Sequence, residues 1–194
     1  GVTSPAEEMS SRAGAIAQTA VPQVSVAVDA YFPRAHLIDC LRTLQEEFPT
    51  AAINLRITTM QGGETLVLEK VCALAVTIND VPEVNPQAIE RHWLREAEMV
   101  TVCAPSHALA STPKPIPRDE FGQHVQIIVT DNQPGAEKTQ QGVAGKRQWL
   151  VNDLGAKRDL LEAGLGWGHM PRHVVAEDLT SGQLVELERR AWHI

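Results

Sequence analysis

The chain contains seven histidines and 24 acidic residues, the side chain types that most often carry general acid and base catalysis. His36 precedes Asp39 by three residues, which is the spacing of a surface pair on a helix, and His107 lies in a turn. The sequence has no nucleophile elbow, no phosphate-binding loop and no paired histidines on one helix face. It therefore predicts a protein that is not an enzyme.

The three cysteines, Cys40, Cys72 and Cys103, are an odd number and are widely separated, each among apolar residues. This pattern is typical of small core residues in a reducing cytosol. No Cys and His cluster has the spacing of metal ligands. Neither a metal nor any other cofactor is predicted.

The charge of the chain argues against a nucleic acid as its direct partner. Lys and Arg number 17 against 24 Asp and Glu, a net charge of −7, and an acidic surface repels phosphate. Hydrophobic residues make up 43% of the chain, enough for a core, but no apolar run approaches the roughly 18 residues of a membrane span. We expect one domain or two small lobes that do not enter a membrane.

Strands and helices alternate over the first part of the chain. Valines alternate from Val24 and predict a strand that ends at Asp29. A helix with one apolar face is then predicted from Pro33 to Phe48. A second strand around Ile53–Ile57, a short helix and a third strand at 74–78 follow. This order predicts a parallel sheet with right-handed crossovers.

A second pattern of the same kind follows a stretch with four prolines at 105–120, which is predicted to link two lobes. Trp149 and Trp167 are expected in the core of the second lobe, and Pro171 is expected to start a helix. The predicted divisions are a linker helix at 1–20 with the stripe Met9, Ala13 and Ile16, lobe I at 21–104 with 186–194 returning to it, and lobe II at 105–185.

Ligands of such sheets bind at the carboxyl ends of the strands, near helix N-termini. The strand ends lie at 29–32, 58–63, 77–79, 130–132 and 152. From these the candidate binding residues for a small polar molecule are Asp29, Ala30, Tyr31, Thr59, Met60, Gly62, Thr130, Asp131, Asn132 and Asn152.

Two of these residues have alternative interpretations. Asp29 could cap the helix that follows it, or it could accept a hydrogen bond from an amine or hydroxyl of the ligand. Tyr31, with its neighbour Phe32, could staple that helix or could form an apolar wall of the cleft.

Three segments of the chain form a distinctive combination. They are the first strand with the helix ending at Phe48-Pro49, the stretch Ala104-Pro105-Ser106-His107-Ala108-Leu109, and the closing run from Gly164-Leu165-Gly166-Trp167-Gly168 to Gly182-Gln183-Leu184-Val185-Glu186-Leu187. Together these segments resemble the effector-binding domain of LysR-type transcriptional regulators. Ala108 stands where the family usually has proline, and Asp29-Ala30 stands where it often has Ser or Thr.

The resemblance implies an α/β fold of the type 2 periplasmic-binding-protein kind, with two lobes, each a mostly parallel sheet with flanking helices. It also implies a cytoplasmic regulator that senses a small-molecule effector and dimerises through this domain. Such regulators assemble to tetramers when full length and bind DNA through a winged helix-turn-helix that precedes this region. A solute-binding protein of a transport system, with the same fold, is the alternative.

Overall fold

The structure, a computed structural model, describes residues 23–60, 62–78, 88–94, 96–130 and 144–188. Within these ranges eight strands form two separate sheets, of three and five strands. None of the helices in these ranges is long and apolar enough to cross a bilayer. The predicted linker helix at 1–20 and the candidate residues Asp131 and Asn132 lie outside the described residues.

The first sheet has the predicted parallel topology. Its strands are β1 (Gln23–Asp29), β2 (Ala52–Thr58) and β3 (Leu74–Val76), in the order β2-β1-β3. Helix α1 (Arg34–Glu47) joins β1 to β2, and helix α2 (Gly62–Leu68) joins β2 to β3. Because both connections are crossovers between parallel strands, the carboxyl ends of all three strands lie at one edge of the sheet.

The second sheet is mixed. Its strands are β4 (Met99–Cys103), β5 (Val125–Val129), β6 (Arg147–Val151), β7 (Trp167–Pro171) and β8 (Val185–Glu186), in the order β6-β5-β7-β4-β8. Strand β5 is parallel to β6 and β7, whereas β4 is antiparallel to β7 and β8. The flanking helices are α3 (Arg118–Gln123), α4 (Leu154–Glu162) and α5 (Ala176–Ser181).

The change from one sheet to the other does not fall at the predicted boundary between residues 104 and 105. Strand β4, predicted in lobe I, pairs with β7 and β8 in the second sheet, and its last four residues are buried. Within the proline-rich stretch at 105–120, Leu109 and Ile116 are fully buried with Trp167, so this stretch packs into the core of the second sheet. Of the predicted return at 186–194, Glu186 belongs to the second sheet, and residues 189–194 lie outside the described residues.

The two tryptophans of the second sheet, Trp149 and Trp167, differ in burial. Trp167 is fully buried, its indole N–H donates a hydrogen bond to the carbonyl of Phe121 at 3.1 Å, and the two rings meet edge to face. Trp149 is 44% exposed, because it lies on the edge strand β6. The core prediction is therefore confirmed for Trp167 and wrong for Trp149.

Pro171 does not start a helix. It is the last residue of β7, opposite Met99, and the next helix begins at Ala176. A proline at the end of a strand removes a donor only where the pairing is about to stop, so the position costs the sheet little.

Candidate functional site

The strongest candidate site lies where β1 and β2 end side by side. Asp29 is the last residue of β1 and is in register with Thr58, the last residue of β2. The N–H of Ala30 donates to the carbonyl of Thr58 at 2.8 Å, which holds the two chains together beyond the strands. Since partners in register project to the same face of a sheet, the side chains of Asp29 and Thr58 lie on one face at the ends of adjacent strands.

Asp29 is almost entirely buried, with 3% of its surface exposed. Its Oδ1 accepts a hydrogen bond from the N–H of Tyr31 at 2.7 Å, a local turn two residues long. The N-cap of α1 is Pro33, which makes no side-chain cap hydrogen bond, and the N–H bonded to Asp29 belongs to Tyr31, which precedes the helix. The helix-cap interpretation of Asp29 is therefore wrong for α1.

Burial raises the pKa of Asp29 to about 6, against the opposing effect of the backbone N–H groups of Tyr31 and Met60. Met60 has a left-handed backbone, with φ of 53°, which is uncommon for a residue other than glycine. Within the part of the chain that the structure describes, the buried Oδ2 atom of Asp29 has no hydrogen-bond partner, and the same holds for Oγ1 of Thr58. A buried polar atom without a partner is rare in folded proteins.

Helix α2 covers this end of the sheet and packs against β1 and β3. A Cβ atom on Gly63 would lie 2.9 Å from Cγ2 of Thr77 and 3.2 Å from Cβ of Ala75, so only glycine allows this close approach. The predicted residue Gly62 has more room, since its Cβ would lie 3.4 Å from that of Thr58. Among the two glycines, Gly63 is the one that the packing requires.

The second sheet meets the first at the same place. Ala30 and Tyr31 pack against the apolar cluster of the second sheet, which includes Val129 and Met170. The hydroxyl of Thr59 donates to the carbonyl of Thr130 at 3.3 Å. Ala30, Tyr31 and Thr59 therefore lie at the contact between the two sheets, with Ala30 and Tyr31 against its apolar side.

The other predicted residues are also at strand ends. Thr130 directly follows β5, and its N–H donates to the carbonyl of Val151 at 2.8 Å, while Asn152 directly follows β6. The predicted set contained Thr59 but omitted Thr58 and Gly63. The signal for Thr58 was available, because pairing the two strands residue by residue from their ends sets Thr58 opposite Asp29.

A second buried ionisable group lies in the second sheet. Lys157 of α4 is 3% exposed, and its Nζ donates to the carbonyl of His169 at 2.7 Å. Burial lowers the pKa of this amine to about 7. The described residues contain no group of three or more side chains able to hold a metal ion.

Comparison with known proteins identifies the family. Residues 17–194 match the family model described as the LysR substrate binding domain. The chain is 26% identical over 167 residues to an uncharacterised HTH-type transcriptional regulator, YeeY, of Escherichia coli K12, and the match spans 84% of this chain but 53% of that protein. The chain therefore spans about half the length of this curated relative.

Two solved structures have the same fold. One is the regulatory domain of NMB2055 (MetR), a LysR family regulator from N. meningitidis, with a TM-score of 0.64, 21% identity and coverage of 88% of this chain and 79% of that one. The other is the effector binding domain of QuiR in complex with shikimate, with a TM-score of 0.64, 14% identity and coverage of 90% and 84%.

The chain belongs to the LysR substrate binding domain family, because the family model matches nearly its whole length. Its fold is the two-lobed α/β fold of LysR regulatory domains, which confirms the predicted class. The family is one of transcriptional regulators, and this agrees with the prediction that the chain is not an enzyme.

Proposed function

We propose that the chain is the effector-binding and dimerising domain of a LysR-type transcriptional regulator and that a small polar molecule binds between its lobes. The lobes would be built on the two sheets, residues 23–78 and 99–188. The observation that carries the proposal is the buried carboxylate of Asp29 at the contact between the sheets, beside a second unpartnered oxygen on Thr58. Polar atoms of this kind are suited to fix a ligand in an otherwise apolar cleft.

The polar groups of the effector would contact Asp29, Thr59, Thr130 and Asn152, with Tyr31 and Met60 against its apolar part. Gly62 and Ala30 would line the same edge, and Asp131 and Asn132 would follow Thr130. The complex of QuiR with shikimate supports a small organic molecule as the kind of ligand. Effector would act by binding one lobe arrangement better than the other, which shifts the geometry of the assembly.

The complete protein would be a cytoplasmic DNA-binding regulator whose winged helix-turn-helix precedes this domain. The relative YeeY supports this domain organisation, because it is an HTH-type regulator and the match covers 53% of its length. The alternative, a solute-binding protein of a transport system, has the same fold, but the family model and the relatives named above are all of regulators.

Substituting Asn152 with alanine is expected to weaken effector binding several-fold or more without unfolding the domain, and Thr130→Val is expected to do the same. A buried hydrogen bond left without its partner costs about 1–3 kcal/mol. The measurement is calorimetric titration of each variant with a ligand found by thermal-shift screening.

Asn54→Ala is the matched control for this experiment, because Asn54 lies in the middle of β2, away from the strand ends. It should leave the affinity unchanged. Equal affinity of the wild type and of both site variants would show that the ligand binds elsewhere in the molecule.

An exposed apolar face of the first sheet is the proposed dimer contact. Strand β2 is an edge strand, and its residues Ile53, Leu55 and Ile57 are exposed, the last by 58%. Ile38 of α1 and Phe48, which directly follows that helix, are also exposed, and a surface groove of about 430 Å³ runs between α1 and the start of β2. A second copy of this chain is the proposed occupant, since an edge strand with an apolar face is self-complementary about a twofold axis.

Replacing Ile57 by lysine is therefore expected to weaken the dimer at least tenfold, because it sets two like charges in an apolar contact. Sedimentation of the wild type at micromolar concentration should show a dimer, and the Ile57→Lys variant a monomer. Leu165, an apolar residue between α4 and β7, is 45% exposed, and the control variant Leu165→Lys should remain dimeric. A monomeric wild type, or an Ile57→Lys variant of unchanged mass, would contradict the proposed contact.

A further inference from the structure

Two oxygen atoms at the end of the first sheet lack any hydrogen-bond donor. Oδ2 of Asp29 and Oγ1 of Thr58 are both buried and unpartnered, and the two residues are register neighbours on adjacent strands. The other carboxylate oxygen of Asp29 is already occupied by the N–H of Tyr31. The ends of the two strands therefore carry two polar groups that the described protein groups leave unused: a carboxylate oxygen, which accepts, and a hydroxyl, which can accept or donate.

The charge of Asp29 is also uncompensated. The influences on its pKa are burial and two backbone N–H groups, and no cationic side chain of the described residues is among them. On the covering helix α2, Glu64 is bonded to Arg91, with Nε and Nη2 at 3.0 and 2.9 Å from Oε1. On β2, Arg56 is exposed to solvent, and on β3 the chain continues into the neutral Thr77. Among the described residues, the site therefore has a local negative charge and no cationic side chain that balances it.

We infer that the effector presents a protonated amine to the carboxylate of Asp29 and the hydroxyl oxygen of Thr58. The inference rests on the proposed function and names the chemical class of its ligand.

The uncompensated charge of Asp29 favours an ammonium group over other polar groups. An ammonium has three N–H donors and a positive charge, so it can donate to both oxygens and neutralise the carboxylate at once. A ligand hydroxyl could donate to Asp29 and accept from the hydroxyl of Thr58, but it has no charge to neutralise the carboxylate. A carboxylate or phosphate has no donor, and it would meet the charge of Asp29 at close range without a counter-ion.

The test compares probes that are matched in length and differ in charge. Ethanolamine, putrescine and agmatine would be titrated into the domain beside butanediol, glycolate and succinate, with binding followed by thermal shift and calorimetry. We expect amines to bind at about pH 7.5. Their affinity should fall roughly tenfold at about pH 5, because Asp29 has a pKa of about 6 and is then mostly neutral.

Asp29→Asn and Thr58→Val test the same contact. The first should reduce amine affinity at least tenfold and abolish its pH dependence, and the second should reduce it several-fold while keeping the pH dependence. If Asp29→Asn folds poorly, the affinity of Thr58→Val for amines and the pH dependence of amine binding by the wild type still test the inference.

The outcomes separate the inference from the proposed function. If succinate, glycolate or butanediol binds and no amine does, and if Asn152→Ala weakens that binding, the inference of an amine ligand is wrong and the proposed binding function stands. Amine binding that is unchanged by Asp29→Asn and by pH would also overturn the inference. If no probe of any class binds, the amine inference fails, and the proposed ligand site loses its support with it.

Discussion

Replacing Lys157 by methionine is expected to stabilise the folded domain by roughly 2–4 kcal/mol at about pH 7. The amine is buried in the second sheet, and burial lowers its pKa from 10.5 to about 7. At about 1.4 kcal/mol per pH unit, this shift costs the folded state about 5 kcal/mol. Methionine has a similar length and is uncharged at every pH. It cannot make the hydrogen bond to the carbonyl of His169, and this loss offsets about 1–3 kcal/mol of the stabilisation.

The pH dependence gives this prediction its sign. Above pH 10.5 the amine is neutral in both the folded and the unfolded chain, and it adds no charge cost. As the pH falls from 10.5 to about 7, the unfolded chain takes up a proton that the folded chain does not, so the stability of the wild type declines. Below about pH 7 this contribution is constant. The advantage of Lys157→Met should therefore shrink by about 3 kcal/mol between about pH 6.5 and 9.5.

Urea denaturation of the wild type and the variant at these two pH values measures the effect. The exposed Lys146 provides the matched control, since Lys146→Met should change the free energy of unfolding by about 0.5 kcal/mol or less. If Lys157→Met is destabilised at both pH values, the Nζ hydrogen bond outweighs the cost of burying the amine.

The topology of the first sheet could be predicted from the sequence because its signals are local. Alternating residues mark β1 and β2, Pro33 and Pro49 delimit α1, and strands joined by helices are nearly always parallel. The membership of β4 could not be predicted in this way. Its partners β7 and β8 lie more than 60 residues further along the chain, and antiparallel pairing across such a distance has no local signature.

The candidate site was predicted in outline and not in detail. Strand ends alone located Asp29, Thr59, Thr130 and Asn152, because the position of a strand end follows from the strand. The contribution of Thr58 depends on register, and the unpartnered state of Oδ2 depends on which donors the folded chain leaves nearby. Trp149 is exposed because β6 is at the edge of the sheet, and Pro171 ends the strand β7 that pairs with β4. The sequence of a single segment does not encode the order of strands in the sheet.

Asp29→Asn is expected to raise the stability of the ligand-free domain by roughly 1–3 kcal/mol at about pH 7.5. Burial raises the pKa of this carboxyl from 3.8 to about 6, so the folded chain holds its proton more tightly than the unfolded chain. Tighter proton binding by the folded chain therefore adds to the free energy of unfolding. This contribution is complete below about pH 3.8 and is lost as the pH rises to about 6, a change of about 3 kcal/mol. Asparagine is neutral throughout, and its oxygen can still accept the hydrogen bond from the N–H of Tyr31.

The measurement is urea denaturation of both proteins between about pH 4 and 7.5. The stability advantage of Asp29→Asn should be small near pH 4, should grow up to about pH 6 and should then stay constant, a window that does not overlap that of Lys157. Asp153→Asn is the matched control, because Asp153 caps α4 by accepting from the N–H of Ala156 and asparagine caps almost as well. An advantage that does not change with pH would mean that the cost at this position is steric. A loss of stability at pH 7.5 would mean that the ionised carboxylate is stabilised where it lies, and a ligand would then gain little by neutralising it.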